Sequence, residues 1–502
     1  MADAALWLYS ALTWAAQPLL LRKLRRRAVA EPGYGHAVGE RFGRYARPLD
    51  SLIPPSSMDP LGSFVWIHAV SLGETRAAAI LLAELRQQLP GMRLLLTHGT
   101  ATGRAEGEKL LLPGDVQVWQ PWDTPGAVRR FLRQFRPAIG ILMETEVWPN
   151  LVAGCQQRGI PLVLANARLN ATSMRKSQRL AALARPAYGG LAAVWAQTNA
   201  DAERLQSMGA PVRGVFGNLK FDVVPDAAQL ARGRQWRARS PRPVVMLASS
   251  REGEEAMWLA ALKQKYLIGN GFQRPCPPSV RAEPVEAREL SGNSPSTGSG
   301  RTGCIEDISP IKKKYAEAIE NNGHIAINSE ASSGAGPVQW LVVPRHPQRF
   351  GEVQQLLRSA GLTVSCRSQW ADAPEPADVW LGDSLGEMVL YYGLADVALL
   401  GGSFAPLGGQ NLIEAIACGC PVVLGPHTFN FAEAAALACD QGVAHRVADI
   451  GQGMELACDL ATAPPRLAVA RGLTQEFMRQ HRGAARLTAG AIAALLGIAA
   501  AP

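Results

Sequence analysis

The feature that most constrains the fold of this chain is an alternation of short apolar segments with amphipathic helical segments, which occurs in two series. The first series predicts strands at residues 64–70, 92–97, 138–143, 161–165 and 193–197. The second begins at 242–249, resumes at 338–344 and continues through LTVSC, DVWLG, DVALLGG and CPVVLGP. Because strands that are separated by helices pair in parallel through right-handed crossovers, the sequence predicts an α/β protein with two doubly wound, Rossmann-like domains.

The domain boundaries follow from the break between the two series. A chain of 502 residues is too long for one hydrophobic core, and its 47% hydrophobic and 19% charged residues exclude general disorder. We predict a first domain over 31–223, a linker over 224–241 and a second domain over 242–502. Parallel sheets bind ligands beyond the carboxyl ends of their strands, so we expect the two domains to face each other across a ligand cleft.

One segment interrupts the second series. Between residues 275 and 303 the chain is dominated by Pro, Ser, Gly and Thr, and no apolar period survives. We therefore predict that 268–336 is a disordered or loosely helical insertion in a surface loop, without a role in the chemistry.

The first thirty residues predict attachment to a membrane. The run from Ala5 to Leu21 carries no charge, and five of the six residues 22–27 are Lys or Arg. This order is the reverse of a secretory signal, and basic residues beside an apolar segment mark the cytoplasmic side of a membrane and attract anionic headgroups. We interpret 1–30 as a membrane anchor with a basic juxtamembrane run, either spanning or lying in the membrane plane. The alternative is a buried N-terminal helix with a solvated basic end.

The cysteines do not predict a metal site. The eight cysteines are scattered without the spacing of metal ligands, and no P-loop or HExxH motif is present. We interpret the cysteines as small buried residues in a reduced compartment.

Four motifs place polar residues at strand ends of the first series: HAVSLGE (68–74), THGTATG (97–103), METEVWPN (143–150) and NARLN (166–170). Glu74 is either an acidic residue favoured by the dipole of a helix N-terminus or a base, and the helix would favour its ionised form in both cases. Glu144 and Glu146 follow a buried strand, where two carboxylates are rarely a structural choice.

Three motifs of the second series suit a sugar nucleotide. In GGSFAPLGGQNLIEA (401–415) the glycines allow close approach of a ligand, and Glu414, one turn into a helix, suits a ribose hydroxyl. Arg345 of VVPRHPQRF suits a phosphate, because its fork of donors is always charged. GDSLGEM (382–388) is a further strand-end loop. The alternative is an ordinary Gly-rich turn with a glutamate at a helix start.

Together and in order, nine motifs resemble the Kdo transferase family of lipopolysaccharide biosynthesis, where Kdo is 3-deoxy-D-manno-oct-2-ulosonic acid. The motifs are HAVSLGE, METEVWPN, NARL, GNLKFD (217–222), REGEE (251–255), VPRHPQRF, GDSLGE, GGQNLIEA and GPHTFNF (425–431). The resemblance covers nearly the whole chain outside 268–336. It implies the GT-B glycosyltransferase fold and inverting transfer of Kdo from CMP-Kdo to the tetraacyl lipid A precursor, lipid IVA. It also implies the cytoplasmic face of the inner membrane as the location, with an anionic membrane surface and no nucleic acid as partner.

The resemblance further implies roles for individual residues. Glu74 would be the proton acceptor, and Glu144 and Lys220 would stabilise the transition state. The residues implied to contact CMP are Pro344, Arg345, Leu385, Gly386, Glu387, Asn411, Leu412, Ile413 and Glu414. Because CMP carries only one phosphate, we expect no essential metal and no cofactor beyond the donor substrate.

Two positions depart from the family pattern. Arg251 stands where the family motif usually has His, and Gln410 stands where His usually precedes the Asn of GGHN. Both adjoin the implied donor site. The alternatives are therefore a catalytically impaired membrane-associated homologue that only binds, or another GT-B enzyme that uses a different sugar nucleotide.

Overall fold

A computed structural model of the chain describes residues 2–46, 63–267 and 337–498. The contacts divide the chain into two compact units, one formed by Met1–Val223 with Arg479–Pro502 and the other by Val224–Met478. The predicted insertion 268–336 lies outside the described residues.

The first unit contains a seven-stranded parallel sheet in the order β3-β2-β1-β4-β5-β6-β7. Its strands are β1 Phe64–His68, β2 Arg93–His98, β3 Val116–Trp119, β4 Ile139–Met143, β5 Leu162–Ala167, β6 Ala193–Ala196 and β7 Val212–Val215. Its helices are α1 Ala2–Ala15, α2 Gln17–Ala30, α3 Leu72–Gln88, α4 Ala101–Glu108, α5 Pro125–Phe135, α6 Pro149–Gln156, α7 Ala171–Arg179, α8 Ala181–Gly189 and α9 Asn199–Ser207. The strand order reverses direction between β1 and β4, which is where open α/β sheets bind ligands.

Successive residues of β1 pack into different cores. Val65 and Ile67 belong to one apolar cluster, and Phe64 and Trp66 belong to another. Helices therefore cover both faces of the sheet, as the continuous apolar strands require. The five predicted strands of the first series are confirmed. The edge strands β3 and β7 were missed, because each has only four residues, includes partly exposed positions and has no long apolar run.

The second unit repeats this architecture in the strand order β10-β11-β9-β8-β12-β13-β14, again all parallel. Its strands are β8 Val244–Ser250, β9 Gln339–Pro344, β10 Val364–Cys366, β11 Val379–Leu381, β12 Val397–Leu400, β13 Val422–Leu424 and β14 Ala444–Arg446. Its helices are α10 Ala227–Arg239, α11 Glu254–Leu262, α12 Phe350–Ser359, α13 Met388–Leu394, α14 Leu412–Ala417, α15 Ala432–Asp440, α16 Ile450–Ala461 and α17 Pro464–His481. Here the order reverses between β8 and β12.

Two of the predicted boundaries are wrong. The supposed linker 224–241 contains α10, which packs so closely on α13 that a Cβ added at Gly233 would overlap the carbonyl oxygen of Leu390. The end of the chain, predicted in the second domain, returns to the first unit as α18 Ala484–Leu495. Ala489 and Ile492 of α18 are buried in the apolar cluster of β1 and α3, which explains why this helix belongs there.

The N-terminal helices are bent at their junction. Among the described residues, no single helix has the length and apolar composition to cross a membrane, whereas Ala4–Ala15 and Gln17–Ala30 meet that test as a pair bent by 48°. Pro18 lies in the first turn of α2, where a missing backbone N–H is tolerated and a new helix can begin. The predicted anchor stays a prediction.

Candidate functional site

The predicted site residues fall into two groups, one in each unit, and the expected cleft stays a prediction. In the first unit, Glu74 lies in the first turn of α3, and Ser71 is the N-cap residue of that helix. The backbone N–H of Glu74 points to Ser71 Oγ at 3.4 Å, and the backbone N–H of Val70 donates to Glu74 Oε2 at 2.9 Å. The Ser71 hydroxyl donates to Glu74 Oε1 at 3.1 Å. The helix-start interpretation of Glu74 is therefore confirmed.

The protonation of Glu74 differs from the sequence expectation. The pKa of Glu74 is raised to about 7, mainly by burial. The carboxylates of Glu144 and Glu146 raise this pKa further, whereas the hydrogen bonds from Val70 and Ser71 lower it. The carboxyl is therefore not fully ionised at neutral pH, because loss of hydration and like charge disfavour its ionised form. A carboxyl with a pKa near 7 is suited to accept a proton at neutral pH.

Glu144 lies in a turn and does not continue the strand. Strand β4 ends at Met143, and Glu144 has a left-handed φ of 56°. Its backbone N–H donates to Ala165 O, and its carbonyl accepts from Arg168 N, both at 3.1 Å. Strand alternation therefore does not set the direction of the Glu144 and Glu146 side chains, because β4 ends before both residues. A non-glycine residue in this conformation costs about 1–3 kcal/mol and is typical of functional loops.

Lys220, the third residue implied to be catalytic, lies in the same group. Lys220 Nζ lies 3.1 Å from Glu144 Oε1. Lys220 belongs to a short 3-10 turn, Leu219–Asp222, whose start is capped by the Asn218 side chain, which accepts from the Lys220 N–H at 3.0 Å. The structure thus brings Glu144 and Lys220 into direct contact and places Glu144 near enough to Glu74 to affect its ionisation.

A network of side-chain amides holds the turn that carries Lys220. Asn166 Oδ1 accepts from Leu219 N at 3.1 Å, Gln197 Nε2 donates to Asn166 O at 2.9 Å, and Asn218 Nδ2 donates to Gln197 Oε1 at 3.0 Å. Asn166 belongs to the NARL motif, which gives that motif a positioning role. Gln197 was not predicted, and only its location at the end of β6 could have pointed to it.

The THGTATG motif supports the HAVSLGE loop. Thr100 caps α4, and its hydroxyl donates to Val70 O at 2.9 Å. The backbone N–H groups of Gly99 and Thr100 also point to Val70 O. Thr100 therefore positions the residue whose own N–H contacts Glu74.

In the second unit, Glu254 and Glu255 of REGEE organise the loops at the strand reversal. Glu254 is fully buried, and its carboxylate accepts the backbone N–H groups of four residues: Arg251 at 2.9 Å, Gly402 at 2.6 Å, Phe404 at 3.1 Å and Ala405 at 3.2 Å. Glu255 accepts hydrogen bonds from both terminal nitrogens of Arg349, each at 2.9 Å. These carboxylates hold the loops after β8, β9 and β12 together.

Positive charge gathers at the ends of β8 and β9. The pKa of His346 is lowered by burial and by the nearby guanidinium groups of Arg251 and Arg345. Arg345 is exposed, and its backbone N–H donates to Ser250 O at 2.9 Å. Arg251, where the family usually has His, adds charge here and pairs with Glu252 at 2.9 Å. Such a cluster is suited to an anionic group.

The other residues implied to contact CMP differ in what they can offer a ligand. The side chains of Pro344, Leu412 and Ile413 are buried, so only their backbone groups are available. Asn411 caps α14 by accepting from Ile413 N at 3.1 Å, and Glu414 is half-buried one turn later.

The GDSLGEM loop combines an open glycine with a constrained glutamate. Gly386 has a φ of 80° with open space where a Cβ would lie, and Leu385 is 69% exposed. Glu387 accepts from Arg367 Nη2 at 2.8 Å and from the Ser384 hydroxyl at 2.5 Å. This loop can therefore contact a ligand through its exposed backbone.

Across residues 2–46, 63–267 and 337–498, no group of three or more His, Cys, Asp and Glu side chains is placed to hold a metal ion. Six cysteines lie in this part of the chain and are free thiols, five of them buried. The expectation that no metal or cofactor is needed stays a prediction.

Comparison with known proteins gives matches over most of the chain. A family profile described as "3-Deoxy-D-manno-octulosonic-acid transferase (kdotransferase)" matches residues 36–223. The 3-deoxy-D-manno-octulosonic acid transferase of Bordetella pertussis is 41% identical over 444 residues, which cover 87% of this chain and 89% of that protein. The protein of the same name from Haemophilus influenzae is 30% identical over 429 residues, which cover 85% of this chain and 83% of that protein.

A solved structure also matches. The C-terminal CMP-Kdo binding domain of WaaA from Acinetobacter baumannii is 23% identical, with 50% of this chain and all of that domain covered, at a TM-score of 0.33. That score is too low for a comparison of individual residues.

Proposed function

Because the chain belongs to the 3-deoxy-D-manno-octulosonic acid transferase family and is a glycosyltransferase, we propose that it transfers Kdo from CMP-Kdo to lipid IVA with inversion, in lipopolysaccharide biosynthesis. The observation that carries this proposal is the carboxyl of Glu74, whose pKa of about 7 suits a proton acceptor, in the same strand-end region as the Glu144–Lys220 pair.

The proposed step forms one bond and breaks one bond. A hydroxyl of the lipid's glucosamine attacks the anomeric carbon of Kdo, the bond from that carbon to the phosphate oxygen breaks, and CMP leaves with the electron pair. The hydroxyl proton passes to Glu74. General base assistance of this kind typically contributes about 10²–10⁴-fold to the rate.

The charged residues have separate tasks in this proposal. Lys220, held by Glu144, places a cation where negative charge develops. Arg345 and Arg251 supply guanidinium groups for the phosphate of CMP, and the backbone groups of 385–387 and 411–414 contact the nucleotide. Glu414 accepts hydrogen bonds from the ribose hydroxyls.

The proposed location is the cytoplasmic side of the inner membrane. Trp7 and Trp14 of α1 are each 72% exposed, and Leu19 of α2 is 70% exposed. The basic run of residues 22–27 follows directly in the sequence. Exposed aromatic and apolar side chains beside Lys and Arg are typical of contact with an anionic lipid surface. This contact would keep the enzyme beside its lipid acceptor.

The deciding experiment combines the purified chain with CMP-Kdo and lipid IVA and measures the product by mass. Glu74→Gln is the informative variant, because the glutamine side-chain oxygen can still accept from the Val70 N–H and so preserve the start of α3. We expect the variant to lose roughly 10²–10⁴-fold in rate, while Glu203→Gln on the exposed side of α9 stays active.

The outcomes separate the alternatives. Full activity of Glu74→Gln would eliminate the proposed base. No product from the unmodified chain, with donor binding retained, would favour a homologue that only binds. Turnover of a UDP-sugar in place of CMP-Kdo would indicate another glycosyltransferase.

A further inference from the structure

An exposed tryptophan stands at the end of the METEVWPN loop. Trp148 is the residue before α6 and is 40% exposed. Its indole Nε1 donates to Glu146 Oε2 at 2.9 Å. The ring is thereby held at the surface by a hydrogen bond, although burial would remove more apolar area from water.

The surroundings of Trp148 are charged. Glu146 is half-buried, and four positions before Trp148 the carboxylate of Glu144 meets the ammonium group of Lys220 at 3.1 Å. A flat aromatic face next to carboxylates and a cation can cover the apolar C–H face of a sugar ring while the charged groups take its hydroxyl groups. This loop therefore has the chemical composition of a carbohydrate subsite.

The position of Trp148 relative to α1 indicates which sugar it would meet. Asn150, two residues after Trp148, accepts a hydrogen bond from the Ser10 hydroxyl of α1 at 2.8 Å. Helix α1 exposes the apolar side chains of Trp7, Leu12 and Trp14. A lipid-linked sugar whose tails remain in a membrane beside α1 would reach the surface of this unit near the start of α6.

We propose that Trp148 is a sugar-binding platform for the acceptor, with its indole face against the glucosamine ring and Glu146 fixing the orientation of the indole. The proposal rests on the proposed function, since it takes the acceptor to be a phosphorylated glucosamine disaccharide. It assigns Trp148 to acceptor recognition and leaves donor recognition to the second unit.

The test has two readouts on the full chain. The first is calorimetric binding of the deacylated, phosphorylated glucosamine disaccharide, and the second is the KM for each substrate in Kdo transfer to lipid IVA. For Trp148→Ala we expect roughly 3- to 10-fold weaker disaccharide binding and an equal rise in the acceptor KM, with the CMP-Kdo KM unchanged. Trp148→Phe keeps an aromatic face and should recover most of the binding.

Variants of Glu146 test how the ring is held. Glu146→Gln still offers an oxygen to the indole N–H and should bind the disaccharide nearly as well as the unmodified chain. Glu146→Ala removes that acceptor and should weaken binding in the same direction as Trp148→Ala.

Trp14→Ala supplies the comparison for a membrane contact, because Trp14 is exposed on α1. If Trp148→Ala, like Trp14→Ala, weakens binding to vesicles with anionic lipid but leaves disaccharide binding intact, Trp148 is a membrane contact and the proposal is wrong. It is also overturned if the unmodified chain does not bind the disaccharide. Absence of Kdo transfer with intact, Trp148-dependent disaccharide binding would refute the proposed function alone.

Discussion

The ammonium nitrogen of Lys220 lies 3.1 Å from Oε1 of Glu144, although the two residues are 76 positions apart in the sequence. The Glu144 side chain is 12% exposed and that of Lys220 is 32% exposed, so this ion pair is partly withdrawn from water. Removing one partner of such a pair leaves the other charge poorly solvated, so a substitution at either residue affects both.

We first predict that Lys220→Met lowers kcat by roughly 10²–10³-fold, because the variant removes a cation near developing negative charge and leaves Glu144 unpaired. Lys220→Arg keeps the charge and should retain more activity. Steady-state kinetics with CMP-Kdo and lipid IVA provide the measurement. An unchanged kcat for Lys220→Met would show that Lys220 has no part in catalysis.

The second prediction concerns pH. The pKa of Glu74 is raised to about 7, so its ionised, proton-accepting fraction grows as pH rises through 7. We expect kcat/KM to rise over the same range. Glu146→Gln removes a carboxylate that raises the pKa of Glu74, so the rising limb should move to lower pH. Glu203→Gln should leave the limb in place, and an unmoved limb in Glu146→Gln would contradict the assignment of the limb to Glu74.

The third prediction concerns the loops of the second unit. Glu254→Gln replaces a carboxylate that accepts four backbone N–H groups with an amide whose nitrogen cannot accept. We expect about 1–3 kcal/mol lower stability and weaker CMP-Kdo binding. Glu252→Gln, two residues earlier with a side chain 55% exposed, is the matched control and should change stability little. The measurements are a thermal melt and CMP-Kdo binding. If Glu252→Gln lowers stability and weakens binding as much as Glu254→Gln does, the proposed role of Glu254 is wrong.

The fourth prediction concerns the start of α6. Asp123 Oδ2 accepts from Asn150 N at 3.0 Å and Oδ1 accepts from Leu151 N at 2.8 Å. Trp148, in the N-cap position, makes no side-chain cap of its own. Asp123→Ala should therefore cost about 1–2 kcal/mol of stability and expose the METEVWPN loop to faster proteolysis. Asp226→Ala, which removes an exposed cap from α10, should leave proteolysis of that loop unchanged, and a similar change in both variants would argue against a local role for Asp123.

Much of the architecture could be predicted because apolar periodicity is local. The strands β1, β2, β4, β5 and β6 were all recognised, since each is a continuous buried run bounded by a turn. The edge strands β3 and β7 were missed because they are short and their partly exposed positions weaken that signal. The helix-start position of Glu74 could also be predicted, because acidic residues are favoured in the first turn of a helix.

The sequence by itself determined the two parallel α/β domains, the strand-end location of the motifs and the family to which the chain belongs. Only the tertiary structure decided that Glu144 leaves the strand with a φ of 56°, that Lys220 pairs with it, and that α18 returns to the first unit. It also decided that burial and the carboxylates of Glu144 and Glu146 raise the pKa of Glu74 to about 7. The physical reason is that burial and charge interactions depend on residues that are distant in the chain, whereas periodicity and capping depend on neighbours.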